Sequence, residues 1–246
     1  MIGCPDCKST EHRIHSYRGA NRRLTCRGCG VTFNESRGLE VSSEAQDASY
    51  STYVITAAVN ATKAHRAFLR TLTLYCETNN AKLIIIPMRY RNPTRTDDTP
   101  DDWWDARLMP YITHERTRIA KGLVVLADIK MQPTAINPLN GWKTVSGTDS
   151  AILGHTKIAL TSVATKVGDT AKLVMTTGCC TAEQYSDTNA GAKGKFHHTL
   201  GAVVVEVDGA NNHIRHICPM KDGSFIDLDR KYSTKGITAA PPIDVL

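Results

Sequence analysis

The chain has 246 residues, of which 41% are hydrophobic and 22% charged, and its formal net charge is +6. This length allows one substantial hydrophobic core and a small additional module, since domains usually contain about 100–150 residues. No apolar run approaches the roughly 20 residues that cross a bilayer, and no charged and then apolar leader follows Met1. We therefore expect a soluble protein that stays inside a cell, with no membrane partner.

The first 39 residues contain two C-x2-C pairs, Cys4–Cys7 and Cys26–Cys29, separated by eighteen residues. In a reducing compartment, paired cysteines bind metal more often than they form disulfides. Each C-x2-C turn directs two sulfur atoms inward, and two such turns are typical of a tetrahedral zinc site. The spacing predicts a zinc ribbon over residues 1–39 whose folding depends on the metal. The alternative is that these cysteines are ordinary core thiols.

The same segment is rich in arginine. Between Met1 and Leu39 there are seven basic side chains and three acidic ones. Arginine suits phosphate contacts, and an aromatic ring among arginines suits stacking on a base. The alternative is a solvated basic face without a partner. The predicted nucleic-acid-binding residues of the ribbon are Arg13, Tyr17, Arg18, Arg22, Arg23 and Arg27.

The strings CPDC and RLTCRGCGVTF resemble the zinc ribbons of transposases, primases and topoisomerases. This resemblance covers about 35 residues, and its motif is shared by many families. It implies that the nucleic acid is DNA.

Residues 40–52 lack apolar periodicity and are rich in Ser, Glu, Asp and Ala, which predicts a linker. Residues 53–240 then have the pattern of an α/β domain. A strand over 53–59, a helix over 63–79 and a strand over 81–88 form a βαβ unit. The near-continuous apolar strands indicate a sheet that is covered on both faces.

Residues 89–110 are polar, contain prolines and two adjacent tryptophans, and predict a long excursion between elements. Further apolar runs predict strands over 122–130, 172–178 and 201–209. The turn signals Asp208-Gly209 and Asp222-Gly223 favour an antiparallel ending, so the sheet is predicted to be mixed. Residues 241–246 are predicted to be an extended tail.

Polar residues gather at the ends of several predicted strands, where α/β domains commonly form their sites. An acid, a lysine and histidines that converge there could hold Mg²⁺ or Mn²⁺ and stabilise the charge that develops in phosphodiester cleavage. Arginines after the second strand could hold phosphate. The predicted catalytic residues are Asp128, Lys130, His197, His198 and Glu206, and the predicted phosphate-binding residues are Arg89 and Arg91.

Residues 54–87 resemble the opening of the four-layer αββα folds that nitrilase-like amidases and metal-dependent phosphoesterases share in outline. The resemblance implies such a fold for the large domain. The amidase version needs a glutamate after the second strand, a lysine and a cysteine at a later strand end. Lys130 and either Cys179 or Cys180 could supply two of these groups, whereas Met88 and Arg89 stand where the glutamate is expected.

The strings IIPMRYRNPT, VVLADIKMQPTA and KGKFHHTLGAVVVEVDG resemble a group of uncharacterised bacteriophage proteins, from about Tyr53 to Pro242. This resemblance implies a phage-type DNA-binding protein in the host bacterial cytoplasm or associated with the virion. Its large domain is predicted to be a metal-dependent phosphodiesterase or nuclease. The alternative is a non-catalytic factor in DNA packaging, DNA ejection or transcription control. Other phage or host proteins are the further partners expected, and the sequence predicts no oligomeric state.

Overall fold

The structure is a computed structural model and describes residues 4, 11–18, 21–27, 29–30, 32–34, 50–91, 103–168, 171–209 and 211–241. The chain divides into two compact units, Met1–Glu44 and Ala45–Leu246. Residues 40–49 of the predicted linker lie outside the described residues, so the predicted domain limits stay predictions. No helix in the described part of the chain is long and apolar enough to span a membrane.

The small unit contains an antiparallel sheet of three strands, β1 (His12–Arg18), β2 (Asn21–Cys26) and β3 (Thr32–Asn34), in that order. Its described core consists of Leu24 and Phe33 together with the thiols of Cys4 and Cys26. So small an apolar core supplies little folding free energy, and modules of this size usually need a metal or a disulfide.

The first sheet of the large unit contains β4 (Thr52–Val59) and β5 (Ala81–Met88), which are parallel and joined by helix α1 (Arg66–Thr78). The predicted βαβ unit is therefore confirmed. The helix begins three residues later than predicted, because Ala64 pairs with Thr181 and His65 caps the helix by accepting a hydrogen bond from the Phe68 amide.

Two antiparallel neighbours, β11 (Ala202–Asp208) and β12 (Asn211–Ile217), complete this sheet in the order β12-β11-β4-β5. The second sheet contains β6 (Arg116–Ala120), β7 (Leu123–Leu126), β8 (Ser150–Leu153), β9 (Leu160–Val163) and β10 (Lys172–Thr176). Their order is β6-β7-β8-β10-β9, with both parallel and antiparallel pairs.

A third, antiparallel sheet of β13 (Phe225–Asp227), β14 (Arg230–Ser233) and β15 (Gly236–Ala239) ends the described chain, so the predicted antiparallel ending is confirmed. A 3-10 turn lies at Met109–Tyr111.

The first sheet has a core on each face. On one face β4, β5 and β11 pack against α1 through Phe68, Leu72 and Tyr75. On the other face, side chains such as Ile55 and Ile86 pack against the second sheet. The layers are therefore helix, sheet and sheet, in a mixed α/β unit dominated by strands.

Irregular chain covers part of the outer face of the second sheet. Met175 of β10 lies in the core between the sheets, so Lys172 and Val174 point to the opposite face. The Lys172 ammonium donates hydrogen bonds of 2.6 Å to the carbonyls of Lys143 and Gly147. The helix-free segment 127–149 therefore covers part of this face, and the four-layer arrangement stays a prediction.

Helix α2 (Asn189–His197) precedes β11 and is not among the elements predicted from the sequence. Thr188 caps it by accepting a hydrogen bond from the Gly191 amide. A Cβ on Gly191 would lie 1.8 Å from the Ser186 carbonyl oxygen, so the close packing of this helix requires glycine there. His197 is the last helical residue and His198 its C-cap, so neither residue belongs to β11.

Candidate functional site

Three thiols gather at one end of the small unit. The sulfur atoms of Cys4, Cys26 and Cys29 lie within 4.8 Å of one another, and those of Cys4 and Cys29 are 3.6 Å apart. Disulfide sulfurs are about 2.05 Å apart, whereas ligands about 2.3 Å from a tetrahedral zinc ion lie about 3.8 Å from each other. The three thiols are therefore placed to hold a metal ion such as zinc. Cys7, the fourth predicted ligand, lies outside the described residues.

The backbone around β2 explains why these thiols meet. β2 delivers Cys26 at its last residue, and the Gly30 amide donates a hydrogen bond of 3.0 Å to the Cys26 carbonyl. Gly30 has a φ of +77°, a conformation that residues with a Cβ rarely adopt. This turn places Cys29 beside Cys4, while Leu24 and Phe33 pack behind the sulfurs.

The strand pairing places two arginines of the ribbon on the face of the sheet opposite the buried Cys26. Leu24 and Cys26 are buried on one face of β2, so Arg23 and Thr25 point to the other face. Arg13 pairs with Thr25 and therefore shares the face of Arg23. Arg13, Arg22 and Arg27 are exposed, Arg23 is half-buried, and the side chains of Tyr17 and Arg18 lie outside the described residues.

In the large unit, the segments that follow four strands meet at one edge. The residues after β4 and β10 are joined by hydrogen bonds from the Cys180 amide to Ala57 and from the His65 amide to Cys180. The residues after β8 join them through the bridge between His155 and Gly178. Asn60 joins the residues after β5, because its Oδ1 accepts hydrogen bonds from the Tyr90 amide at 2.8 Å and the Arg91 amide at 3.3 Å.

Of the two arginines predicted to hold phosphate, Arg91 is exposed beside Asn60 and Arg89 is half-buried. Both lie at the end of β5, as the sequence predicted, and their role in binding phosphate stays a prediction.

Asp128 follows β7 as predicted, but its carboxylate is already bound. Arg116 donates two hydrogen bonds to it, from Nε at 3.2 Å and from the terminal nitrogen at 2.8 Å. The Arg116 side chain is only 6% exposed and that of Asp128 20% exposed. This bidentate pair stabilises the β6–β7 hairpin.

Glu206 lies in a different ionic cluster. Its carboxylate accepts a hydrogen bond of 2.7 Å from Arg215, which also binds Asp227. The Tyr75 hydroxyl donates to Asp227 at 2.8 Å, and burial, followed by this bond, raises the pKa of Tyr75. The cluster links β11 and β12 to β13 and α1.

His198 has hydrogen bonds at both ring nitrogens. Its Nε2 lies 3.0 Å from the Thr181 carbonyl and donates to it, so Nδ1 accepts from the Tyr185 hydroxyl at 2.7 Å. Burial lowers the pKa of His198. His197 is half-exposed, and Lys130 is exposed.

The five predicted catalytic residues therefore have different partners in the structure. In the described part of the chain, the cysteine cluster is the only group of three or more His, Cys, Asp or Glu side chains close enough to hold a metal ion. The catalytic roles stay predictions, and these residues form no such group.

Cys179 and Cys180 follow β10 as the amidase hypothesis requires, but both thiols are fully buried. Burial raises the pKa of Cys179 to about 12 and that of Cys180 further. A nucleophilic cysteine needs thiolate character and access to substrate. The described geometry therefore gives the amidase hypothesis no support.

The sequence analysis missed Asn60 and Tyr185, which connect this edge through Tyr90, Arg91 and His198. Asn60 could have been found as the first polar residue after the apolar run of β4. Tyr185 had no such signal, because its contacts with Tyr90 and His198 join distant parts of the chain.

No protein-family model matches the chain. Protein A1 of Escherichia phage T5 is 28% identical over 185 residues, which cover 72% of this chain and 33% of protein A1. The chain thus spans about a third of the length of this phage relative, and the expected similarity to phage proteins is confirmed. Vps29 of Chaetomium thermophilum matches at 7% identity with a TM-score of 0.35, covering 70% of this chain and 93% of Vps29.

Proposed function

We propose that the protein is a phage-type DNA-binding protein whose small unit is a zinc ribbon. The observation that supports this proposal most is the gathering of Cys4, Cys26 and Cys29 within 4.8 Å beneath a hairpin rich in arginine. Zinc is the ion that best suits several thiolates in tetrahedral geometry, and Cys7 is the proposed fourth ligand. The metal would hold the hairpin rigid, so that its arginines meet the phosphates in a fixed arrangement.

The DNA contacts are assigned to the arginines on the face opposite the thiols. Arg13 and Arg23 share that face, and the structure gives neither an ion pair with a described residue. Phosphate contacts carry no sequence information, so this surface would bind DNA of any sequence with strong salt dependence.

The proposal takes the non-catalytic form in preference to a metal-dependent phosphodiesterase. Asp128 and Glu206 are each bound to an arginine, Arg116 and Arg215, and a divalent ion would have to displace these partners. A factor in DNA packaging, ejection or transcription control needs only the binding surfaces. Other phage or host proteins are its further proposed partners.

The test is a binding and cleavage experiment with the full chain containing zinc. The double variant Arg13→Ala/Arg23→Ala removes two charges from the ribbon, and Arg230→Ala/Lys235→Ala removes two from exposed positions of the large unit. We expect the ribbon variant to reduce the slope of log affinity against log salt by about two for a short duplex, and the control by less than one. Equal slopes for the two variants would refute the assignment.

Cleavage is measured in the same samples with Mg²⁺ or Mn²⁺ added. The proposal expects intact DNA under all conditions. Metal-dependent cleavage that Asp128→Asn abolishes would refute the non-catalytic form and establish the nuclease alternative.

A further inference from the structure

The two adjacent tryptophans of the large unit have different environments. Trp104 packs against the helix-side core, and its indole N–H donates a hydrogen bond of 3.2 Å to the Ala58 carbonyl. Trp103 is 42% exposed, although its carbonyl accepts a hydrogen bond of 2.8 Å from the Ala61 amide. Trp104 therefore anchors the segment, while Trp103 presents an aromatic surface to solvent from a fixed backbone.

A concave site of about 280 Å³ lies beside Trp103. This volume is close to the lower end of the range for ligand pockets, about 300 Å³. Among the described residues, its charged lining consists of Lys63, Arg66 and Arg107 with the acid Asp105. Lys63 lies between β4 and α1, and Arg66 begins α1, so the site lies where α/β units commonly bind ligands.

Asp105 lies among these cations, and backbone amides hold its carboxylate in place. Its side chain is 9% exposed and accepts hydrogen bonds from the amides of Ala64 and Arg107, both at 3.0 Å. Burial alone would raise the pKa of Asp105, but these amides and the charges of Arg107 and Arg66 lower it. Asp105 is therefore ionised, and the described lining of the site carries three cations and one anion.

The cations are accessible to a ligand. Lys63 and Arg66 are exposed and have no ion pair among the described residues, and the Arg107 side chain is 50% exposed despite its bond to Asp105. Cations that meet a phosphate beside an exposed ring are the common arrangement of proteins that bind single strands, because an unpaired base can stack on the ring. A duplex offers its phosphates but keeps its bases stacked internally.

We infer that the site formed by Lys63, Arg66, Trp103 and Arg107 binds single-stranded nucleic acid, with a phosphate against the cations and the adjoining base stacked on Trp103. This inference deepens the proposed function, since it assigns a single-stranded ligand to the large unit. It does not depend on the ribbon arginines, which belong to the other compact unit.

The test uses the full chain with zinc and an oligothymidylate of about eight residues. Trp103→Ala is expected to weaken binding about tenfold. Arg66→Ala is expected to weaken it about fivefold, whereas Arg70→Ala, an equal change at an exposed position one turn along α1, changes it less than twofold. The oligonucleotide should also quench tryptophan fluorescence of the wild type, and Trp103→Phe should remove most of that quenching while Trp142→Phe retains it.

The ribbon variant Arg13→Ala/Arg23→Ala separates the two proposals. If it loses duplex affinity while Trp103→Ala binds the oligothymidylate like the wild type, the pocket assignment is overturned and the proposed function survives. If Trp103→Ala loses affinity for the single strand while the ribbon variant leaves duplex binding unchanged, the pocket assignment holds and the ribbon assignment fails. Quenching that persists in Trp103→Phe would also overturn the inference. Thermal unfolding of each variant confirms that it is folded.

Discussion

The substitution Asp128→Asn distinguishes a structural carboxylate from a catalytic one by the sign of its effect on stability. The change keeps the shape of the side chain and removes its charge. In the protein, both oxygen atoms of Asp128 accept hydrogen bonds from a guanidinium whose side chain is 6% exposed. Arg116 would then keep its buried charge while losing the opposite charge of Asp128.

The expected cost is about 2 kcal/mol. Breaking a fully buried ion pair by removing one partner costs about 3–5 kcal/mol, and the smaller figure applies because Asp128 is 20% exposed and asparagine still accepts a hydrogen bond. For a unit of about 200 residues this corresponds to a fall of about 4–8 °C in the unfolding midpoint. A carboxylate of a metal site behaves differently, since its removal from the metal-free protein is often neutral or stabilising.

Urea and thermal unfolding of the full chain provide the measurement, without added divalent cation. Arg118→Met is the matched control, because Arg118 lies on the same strand and pairs with Asp149 but is 43% exposed, so its loss should cost less than about 1 kcal/mol. The double variant Arg116→Met/Asp128→Asn should regain part of the loss, since it removes both charges. An Asp128→Asn protein as stable as the wild type, or more stable, would refute the structural assignment.

Three further outcomes follow from the structure. Removing the metal with a chelator, or introducing Cys26→Ser, should unfold the small unit and abolish duplex binding, while the large unit keeps its unfolding transition. The control Cys218→Ser changes an exposed thiol outside the cluster and should alter neither the folding of the small unit nor duplex binding. Burial lowers the pKa of His155 to about 4, against about 6.5 in the unfolded chain, so its contribution to stability is complete above pH 6.5 and is lost as the pH falls towards 4. Urea unfolding at pH 7 and pH 5 should therefore show a smaller loss of stability in His155→Asn than in the wild type or in the exposed-site control His213→Asn. Tyr75→Phe should cost about 1–2 kcal/mol in the same assay at neutral pH, because it removes the hydroxyl that donates to buried Asp227.

Elements with a strong apolar period could be predicted from the sequence, and those held by distant contacts could not. β4, α1 and β5 follow one another in sequence, and each buries the apolar residues from which it was predicted. Their type and the parallel pairing of the two strands could therefore be predicted from the positions of those residues. Helix α2 has the opposite character, with glycines that disfavour a helix in isolation. It packs against Tyr185 and Ser186, which are held in turn by Tyr90, a residue distant in sequence.

The same distinction applies to the candidate sites. The cysteine spacing indicates the geometry of the metal site, because a metal needs ligands at fixed separations and each C-x2-C turn supplies two of them locally. An acid at the end of a strand specifies much less, since its role depends on which cation the fold places beside it. Asp128 follows β7 and receives Arg116 from β6 across a hairpin, whereas Asp105 meets Arg107 only two residues away and leaves Lys63 and Arg66 accessible. The two aspartates thus belong to different kinds of site: one closes a buried ion pair, and the other lies in a pocket whose described lining carries three cations. The difference arises from the exposure of the neighbouring cations, which pattern analysis of a single chain does not contain.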